Sequence, residues 1–292
     1  MGMAIGVLLG IVSKAPEYHN CQGRPISIII GKEGTTMTDA HHPSPYEAPE
    51  LYDLLFDGLD FDIPYWVETA KAAGGPVLEM ACGTGRILLA VSKAGVEIEG
   101  FDASPAMIRR LRDKAGAAGL SVRAETADMR DFDMGRLYAR VFCGFNGFAH
   151  CGSIAEQIAC LRASLRHLEP GGALVLHMTY PGPAYWLEPE DKAVFEHEAP
   201  LPGGGKIQLW DRRRKDIVGQ RQDSELEIWE LDAAERPKIV HTYATTQRWV
   251  YPFELELLFA AAGFDRWDIL GGFDGRPLRE PDDQMVAWAF KN

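Results

Sequence analysis

The sequence predicts an α/β fold: a doubly wound, mostly parallel sheet that carries an antiparallel β insert. Three observations predict it. Between Val77 and Tyr180 short β-rich runs alternate with helical segments, the pattern of a parallel sheet covered by helices on both faces. The first of those runs leads directly into a glycine-rich turn and a helix. Beyond Tyr180 the apolar period changes to two over several long runs, as in antiparallel strands.

Each element has its own signal. Leu51, Leu54 and Leu55 fall at helical spacing between Pro45 and Gly58, and a second helix spans 61–73 before the break at Gly74-Gly75-Pro76. Strands are then expected at 77–80, 97–101, 122–127, 139–144 and 173–180, with helices at 86–93, 105–117 and 154–168. Right-handed crossovers line up the loops after these strands along one sheet edge. Pro181, Pro183, Pro189, Pro200 and Pro202 mark an irregular connection that ends in Gly203-Gly204-Gly205. The insert, about 181–251, then alternates with period two over 206–212, 225–231 and 239–251. A helix at 253–262 and strands at 264–270 and 285–290 close the chain.

The composition is that of a globular protein: of 292 residues, 46% are apolar and 25% charged. Thirty basic against 42 acidic residues leave a net charge of −12, which repels phosphate backbones and sets long nucleic acid aside as a partner. The five cysteines (Cys21, Cys82, Cys143, Cys151, Cys160) form no C-x-x-C pair, so they read as buried thiols of a cytoplasmic protein. No apolar run reaches the roughly 18 residues of a membrane helix, and no membrane partner is expected. The first dozen residues are almost wholly apolar, but the first basic residue, Lys14, follows them, which is the wrong order for a signal peptide. That stretch and Pro25–Ile30 could instead be short strands. A third reading rests on Lys32-Glu33-Gly34, codable by a purine run like a bacterial ribosome-binding site, with Met37 at suitable spacing. On that reading residues 1–36 are a non-native or dispensable extension, and 37–292 is the working domain.

The chemistry concentrates in Val77-Leu78-Glu79-Met80-Ala81-Cys82-Gly83-Thr84-Gly85-Arg86, where a strand, a glycine turn and a helix bring backbone close to a nucleotide-like ligand. Asp102 ends the next strand, 19 residues after Gly83, and can accept ribose hydroxyls. Asp128 ends the third, placed to accept a purine amino group, with Met129 beside the ring. A dinucleotide fingerprint needs a small residue at position 88, which is Leu88, and the acidic Glu79 suits a cationic ligand end.

With these residues the sequence resembles the class I S-adenosylmethionine-dependent methyltransferases, whose pattern is an acidic residue, a G-x-G-x-G turn, a ribose-binding acid and an adenine-binding Asp. The resemblance implies a Rossmann-like sheet, S-adenosyl-L-methionine as cofactor, and the insert as a lid. Residue by residue it places Glu79, Ala81, Gly83, Gly85, Arg86, Asp102, Ala103, Met107, Asp128, Met129, Phe145, Asn146 and Tyr52 at the cofactor. Ala81 occupies the family's first glycine, which puts a special backbone conformation there in question. The loop Cys143–His150 is similar to that of small-molecule N- and O-methyltransferases, including the glycine N-methyltransferase-like group, and lacks N/D-P-P-Y/F.

Tyr52, Asn146 and His150 are the candidate catalytic residues. Tyr52 could polarise the sulfonium end, or equally be a core tyrosine. His150 could act as base, its ordinary pKa lying nearest neutrality, or be purely structural. Of the insert's aromatics, Tyr180, Tyr185, Trp186, Trp210, Trp229, Tyr243, Trp249 and Tyr251, one face carries Tyr243, Thr245, Gln247, Trp249 and Tyr251 and could wall an acceptor pocket. Arg212-Arg213-Arg214-Lys215 reads as a solvated strand end. No histidine has metal-ligand spacing, and no metal is expected.

The expected activity is in-line methyl transfer from S-adenosylmethionine to a small-molecule N or O acceptor, with a homodimer left open. Two alternatives stay open at the level of sequence: a methyltransferase-like binding protein without turnover, and a nicotinamide-dependent oxidoreductase on the same sheet.

Overall fold

The computed structural model describes residues 42–179, 181–190, 192–279 and 284–292. The expected extension 1–36, with its candidate strands, lies outside the described residues, as do Cys21, His41, Tyr180 and the side chain of Trp186.

A 3-10 turn (Pro45–Glu47), capped by the Ser44 hydroxyl accepting the Tyr46 N–H, leads into helices α1 (Pro49–Phe56) and α2 (Ile63–Lys71). Each helix opens with a proline in its first turn, where a missing N–H breaks no helical hydrogen bond. Then come β1 (Val77–Met80), α3 (Arg86–Lys93), β2 (Ile98–Asp102), α4 (Pro105–Ala117), β3 (Arg123–Thr126) and β4 (Tyr138–Cys143). A 3-10 turn (Gly147–His150), α5 (Ile154–His167) and β5 (Leu168–Met178) follow. The insert holds α6 (Pro183–Leu187), β6 (Val194–Pro200), β7 (Lys206–Asp216), β8 (Arg221–Leu231) and β9 (Pro237–Arg248). Helix α7 (Pro252–Ala262), β10 (Arg266–Leu270) and β11 (Met285–Phe290) end the chain.

Among the described residues the main sheet has seven strands in the order β10-β11-β5-β4-β1-β2-β3. Strands β1 to β5 pair in parallel, and β11 runs antiparallel to both of its neighbours. Period-two alternation sorts the side chains onto two faces. Leu78, Met80, Val141, Cys143, Leu174 and Leu176 pack with Leu161, Leu258 and Phe259 on one face. Val77, Phe142 and Val175 pack with Trp66, Ile87, Leu88 and Leu111 on the other. Burial of each large side chain here contributes roughly 1.5–3 kcal/mol, so the sheet that carries the site is a stiff platform.

The insert forms a separate sheet, β6-β7-β8-β9, antiparallel throughout. Its first strand was not expected: Pro200 and the irregular polar pattern of Val194–Pro200 disguise it, and β6 lies at an edge, where proline is tolerated. The inner face of this sheet docks on α1 through Leu55, Ile207, Leu209, Ile228 and Tyr243. The His197 Nε2 adds a 2.9 Å hydrogen bond to the Leu55 carbonyl. One more expectation is corrected here. Strand β9 stops at Arg248, so Trp249 and Tyr251 leave the alternation; Tyr243 belongs to the docking cluster, and Thr245 and Gln247 alone of that face reach a cavity. No helix among the described residues is long and apolar enough to cross a membrane.

Candidate active site

Strand order reverses at β1, which pairs with β2 on one side and β4 on the other. Crossovers leave the sheet in opposite directions at such a point and open a crevice beyond the carboxyl ends. The turn after β1 fills its floor. Ala81, Gly83 and Gly85 all have left-handed backbones, with φ of 52°, 53° and 88°. The special conformation in question at Ala81 is therefore present, held by an alanine under strain. A Cβ on Gly83 would meet nothing, because that position faces open space in the crevice.

Asp102, at the end of β2, ties the turn down. One carboxylate oxygen accepts the Gly83 N–H at 2.9 Å, and the other accepts the Ser104 N–H at 2.8 Å. Burial raises its pKa above the ordinary value, and those two N–H donors counter part of the rise. Ser104 in turn donates to the Tyr46 carbonyl at 2.7 Å, so the ribose-type acid, the α4 cap and the N-terminal turn are one network.

Two cavities meet above this floor. The first, about 400 Å³, is lined by Tyr46, Tyr52, Ala81, Gly83, Asp102, Ala103, Met129, Phe145 and His150, and by Ala244–Thr246 of β9. The second, about 530 Å³, extends along the insert sheet past Asn146, Thr179, Tyr185, Glu196, Asp211, Arg213 and Gln222. Tyr46, Tyr52, Phe145 and Thr245 line both. Their sizes suit a small-molecule site.

Tyr46 went unrecognised in the sequence. Its hydroxyl shares a 2.7 Å hydrogen bond with the His150 Nε2, and the rings meet edge to face with centroids 5.2 Å apart. The available signal was weak: Ser44-Pro45 caps and starts a turn that aims the next residue. Burial holds the Tyr46 and Tyr52 hydroxyls well above the ordinary tyrosine range; nearby Tyr52 and Asp102 add to the rise at Tyr46, while Arg86 opposes it at Tyr52. Burial pushes the His150 imidazole below its ordinary value, against a hydrogen bond to the Thr246 backbone that favours the charged form. A neutral imidazole on the wall of the first cavity can accept a proton from the Tyr46 hydroxyl bonded to it.

Asn146, also left-handed at φ 62°, accepts the Thr179 N–H at 2.7 Å and stands on the second cavity, away from the first. The preceding Phe145 N–H donates to His177 Nδ1 at 3.1 Å, while His177 Nε2 donates to Gln284 at 2.7 Å. His177 thus orients the loop after β4 from behind.

The other sequence-derived candidates lie off the cavity walls. Glu79 is buried, one oxygen unpartnered, and burial raises its pKa well up despite the nearby Arg86. The Arg86 guanidinium grips the fully buried Asp62 with both nitrogens, at 2.5 and 2.8 Å, and also donates to the Leu59 carbonyl. Gly85 is a packing position, since a Cβ there would lie 2.8 Å from Leu111. Met107 is core. Asp128 is half-exposed and bound to Arg130, which lowers its pKa. Exposed pairs of this kind contribute only about 0–1 kcal/mol and yield readily to a ligand. Leu88 is fully buried; a Cβ on Gly100 would lie 2.5 Å from it, so helix and sheet are already in close contact.

The basic run is not a solvated end. Arg213 and Lys215 point inward from β7: Arg213 contacts Asp211, Glu188 and Glu196, and Lys215 reaches Glu188 and the Tyr185 carbonyl. Strand alternation sends every second residue of the run to the buried face. Among the described residues no group of three His, Cys, Asp or Glu side chains is arranged to hold a metal.

Residues 77–172 match the family model described as "Methyltransferase domain". The chain is 28% identical over 250 residues to the cypemycin N-terminal methyltransferase of a Streptomyces species, covering 84% of this chain and 97% of that one. It is 32% identical over 169 residues to the demethylmenaquinone methyltransferase of Thermus thermophilus, covering 54% and 74%. The solved structure of the CcbJ methyltransferase from Streptomyces caelestis superposes with a TM-score of 0.65 at 25% identity, covering 81% of this chain and 98% of that one.

Proposed function

Because this chain belongs to the class I S-adenosylmethionine-dependent methyltransferases, transferring a methyl group to a small-molecule acceptor, we propose that its acceptor atom is an amine nitrogen presented beside Tyr46 and His150. The chain's own residues fit the cofactor. Asp102 has used two of about four lone-pair sites and retains acceptors for two hydroxyls. Gly83 leaves room for a close ligand, Met129 offers an apolar wall, and Tyr46 and Tyr52 present rings suited to a cation. When bound, S-adenosylmethionine supplies a methyl group on a positively charged sulfur, open to a nucleophile.

The observation that carries the amine reading is the Tyr46–His150 hydrogen bond at the junction of the two cavities. An amine attacks only through a free lone pair. The Tyr46 hydroxyl takes up the amine's proton as it passes its own to the Nε2 of a neutral His150. Phe145, Asn146 and the lid exclude water around the acceptor. The Streptomyces relative is named as an N-terminal methyltransferase, which agrees with this reading. The four free cysteines among the described residues are all buried, which supports a cytoplasmic enzyme.

The test is calorimetric titration with S-adenosylhomocysteine, followed by mass spectrometry of products formed from amine and alcohol panels with labelled cofactor. Binding together with N-methylated product is expected. Methylation confined to hydroxyls overturns the amine assignment.

A further inference from the structure

One residue that lines the second cavity has a carboxylate oxygen with no hydrogen-bond partner. Asp211 lies on the inner face of β7 and is only 5% exposed. Its Oδ2 accepts from Arg213 Nε at 2.8 Å, Ser224 at 3.1 Å and Gln222 at 3.4 Å. Its Oδ1 is buried with no hydrogen-bond partner among the described residues, on a side chain that lines the cavity. Buried acceptors are almost always paired, so an unpaired one on a side chain that lines a cavity marks a place for a ligand donor.

The charge around it selects the donor. Two carboxylates, Glu196 and Asp211, and one guanidinium, Arg213, line this end, for a balance of −1. Arg213 is already shared among Asp211, Glu188 and Glu196, which leaves it no fork to offer a phosphate. Burial raises the Asp211 carboxyl above its ordinary value against the lowering by Arg213, and a cation at Oδ1 relieves that penalty.

We propose that Asp211 Oδ1 anchors a second, cationic nitrogen of the acceptor, so that the substrate is a compact diamine-type molecule methylated at one end and held at the other. Molecules that carry a diphosphate are rejected by the same wall. The proposal rests on the methyltransferase reading of this site and adds its substrate class.

The experiment compares methylation of linear α,ω-diamines of three to six carbons with chain-matched monoamines and amino alcohols, in the wild type and in Asp211→Asn. A diamine of optimal length is expected to exceed its monoamine and amino-alcohol partners in kcat/KM by at least about tenfold, the scale of one hydrogen bond to a charge. Asp211→Asn is expected to collapse that ratio while binding S-adenosylhomocysteine as the wild type does. Equal use of diamine and monoamine, a ratio unchanged in the variant, no use of any diamine, or better use of a nucleoside-diphosphate amino sugar than of the free amino sugar overturns the proposal. Failure to bind S-adenosylhomocysteine would instead remove the reading beneath it.

Discussion

The Tyr46 hydroxyl and the His150 Nε2 meet at 2.7 Å although 104 residues separate them in sequence. Tyr46 is placed by the Ser44-capped turn and by Ser104 on its carbonyl, and His150 by the 3-10 turn after β4. Two polar groups that act as one unit should fail as one unit. Tyr46→Phe and His150→Gln are each expected to lower kcat by about 10²-fold, the low end of general-base contributions. The double variant should lose little more, since paired effects are not additive. Steady-state kinetics of the four proteins decides it; multiplicative losses would separate the two roles.

The second prediction concerns proton affinity. Burial depresses the His150 pKa, so its imidazole should titrate below 6.5 in an NMR pH series on the folded protein. The sign for stability follows. Between the folded and unfolded values the unfolded chain binds more protons, so this contribution is complete above about 6.5 and is lost as pH falls through the lower folded value. A midpoint at or above 6.5 contradicts the burial argument.

Arg86 gives a third test, because its position makes it structural. Removing it in Arg86→Ala strands the buried Asp62 carboxylate, at an expected loss of about 3–5 kcal/mol in urea unfolding. Adding Asp62→Asn should recover part of that loss, because it removes the unpaired charge. A loss below about 1 kcal/mol would mean that the pair is not buried as the structure shows it.

At Ala81 the left-handed backbone costs roughly 1–2 kcal/mol for a residue with a Cβ. Ala81→Gly releases that strain and adds about 0.5–1 kcal/mol of chain entropy to be lost on folding. Stability is therefore expected to hold or rise by up to about 1.5 kcal/mol, measured by thermal or urea unfolding. A clear loss would show that the Ala81 methyl packs well enough to outweigh its strain.

For Asp102→Asn the shape is kept and the charge removed. The Gly83 and Ser104 N–H groups lose a charged acceptor, and the ligand's hydroxyls lose another. Affinity for S-adenosylhomocysteine should fall by about 10- to 150-fold, corresponding to a charged hydrogen bond of about 1.5–3 kcal/mol. Unchanged affinity in calorimetry would place the ribose elsewhere.

Legibility followed the range of the interactions. Val77–Met80, Arg86–Lys93 and Pro105–Ala117 match their sequence-derived limits because burial on both sheet faces and helical spacing leave strong periodic marks. Asp102, Gly83 and Ala81 were found together because one strand-turn-helix step and the next strand end carry them on a short arc of chain. Other positions gave misleading marks. A run of four basic residues looks like solvent-exposed charge, yet β7 turns Arg213 and Lys215 inward, where Asp211, Glu188 and Glu196 neutralise them. Arg86 lies inside the motif in sequence, but Asp62 captures its side chain.

The alternation of short strands and helices from Val77 to Tyr180 was enough to determine the fold class, and the resemblance carried by a strand end, a glycine turn and an acid 19 residues after Gly83 implied the cofactor and the class of reaction. These features act over a few residues and survive in one dimension. Only the tertiary structure decided that Tyr46 meets His150, that the insert docks on Leu55, and that Asp211 lines the second cavity with one carboxylate oxygen unpartnered. Each of those depends on which face of a strand or turn meets a distant element. That choice is set by packing between the two sheets and α1, whose partners are far apart along the chain.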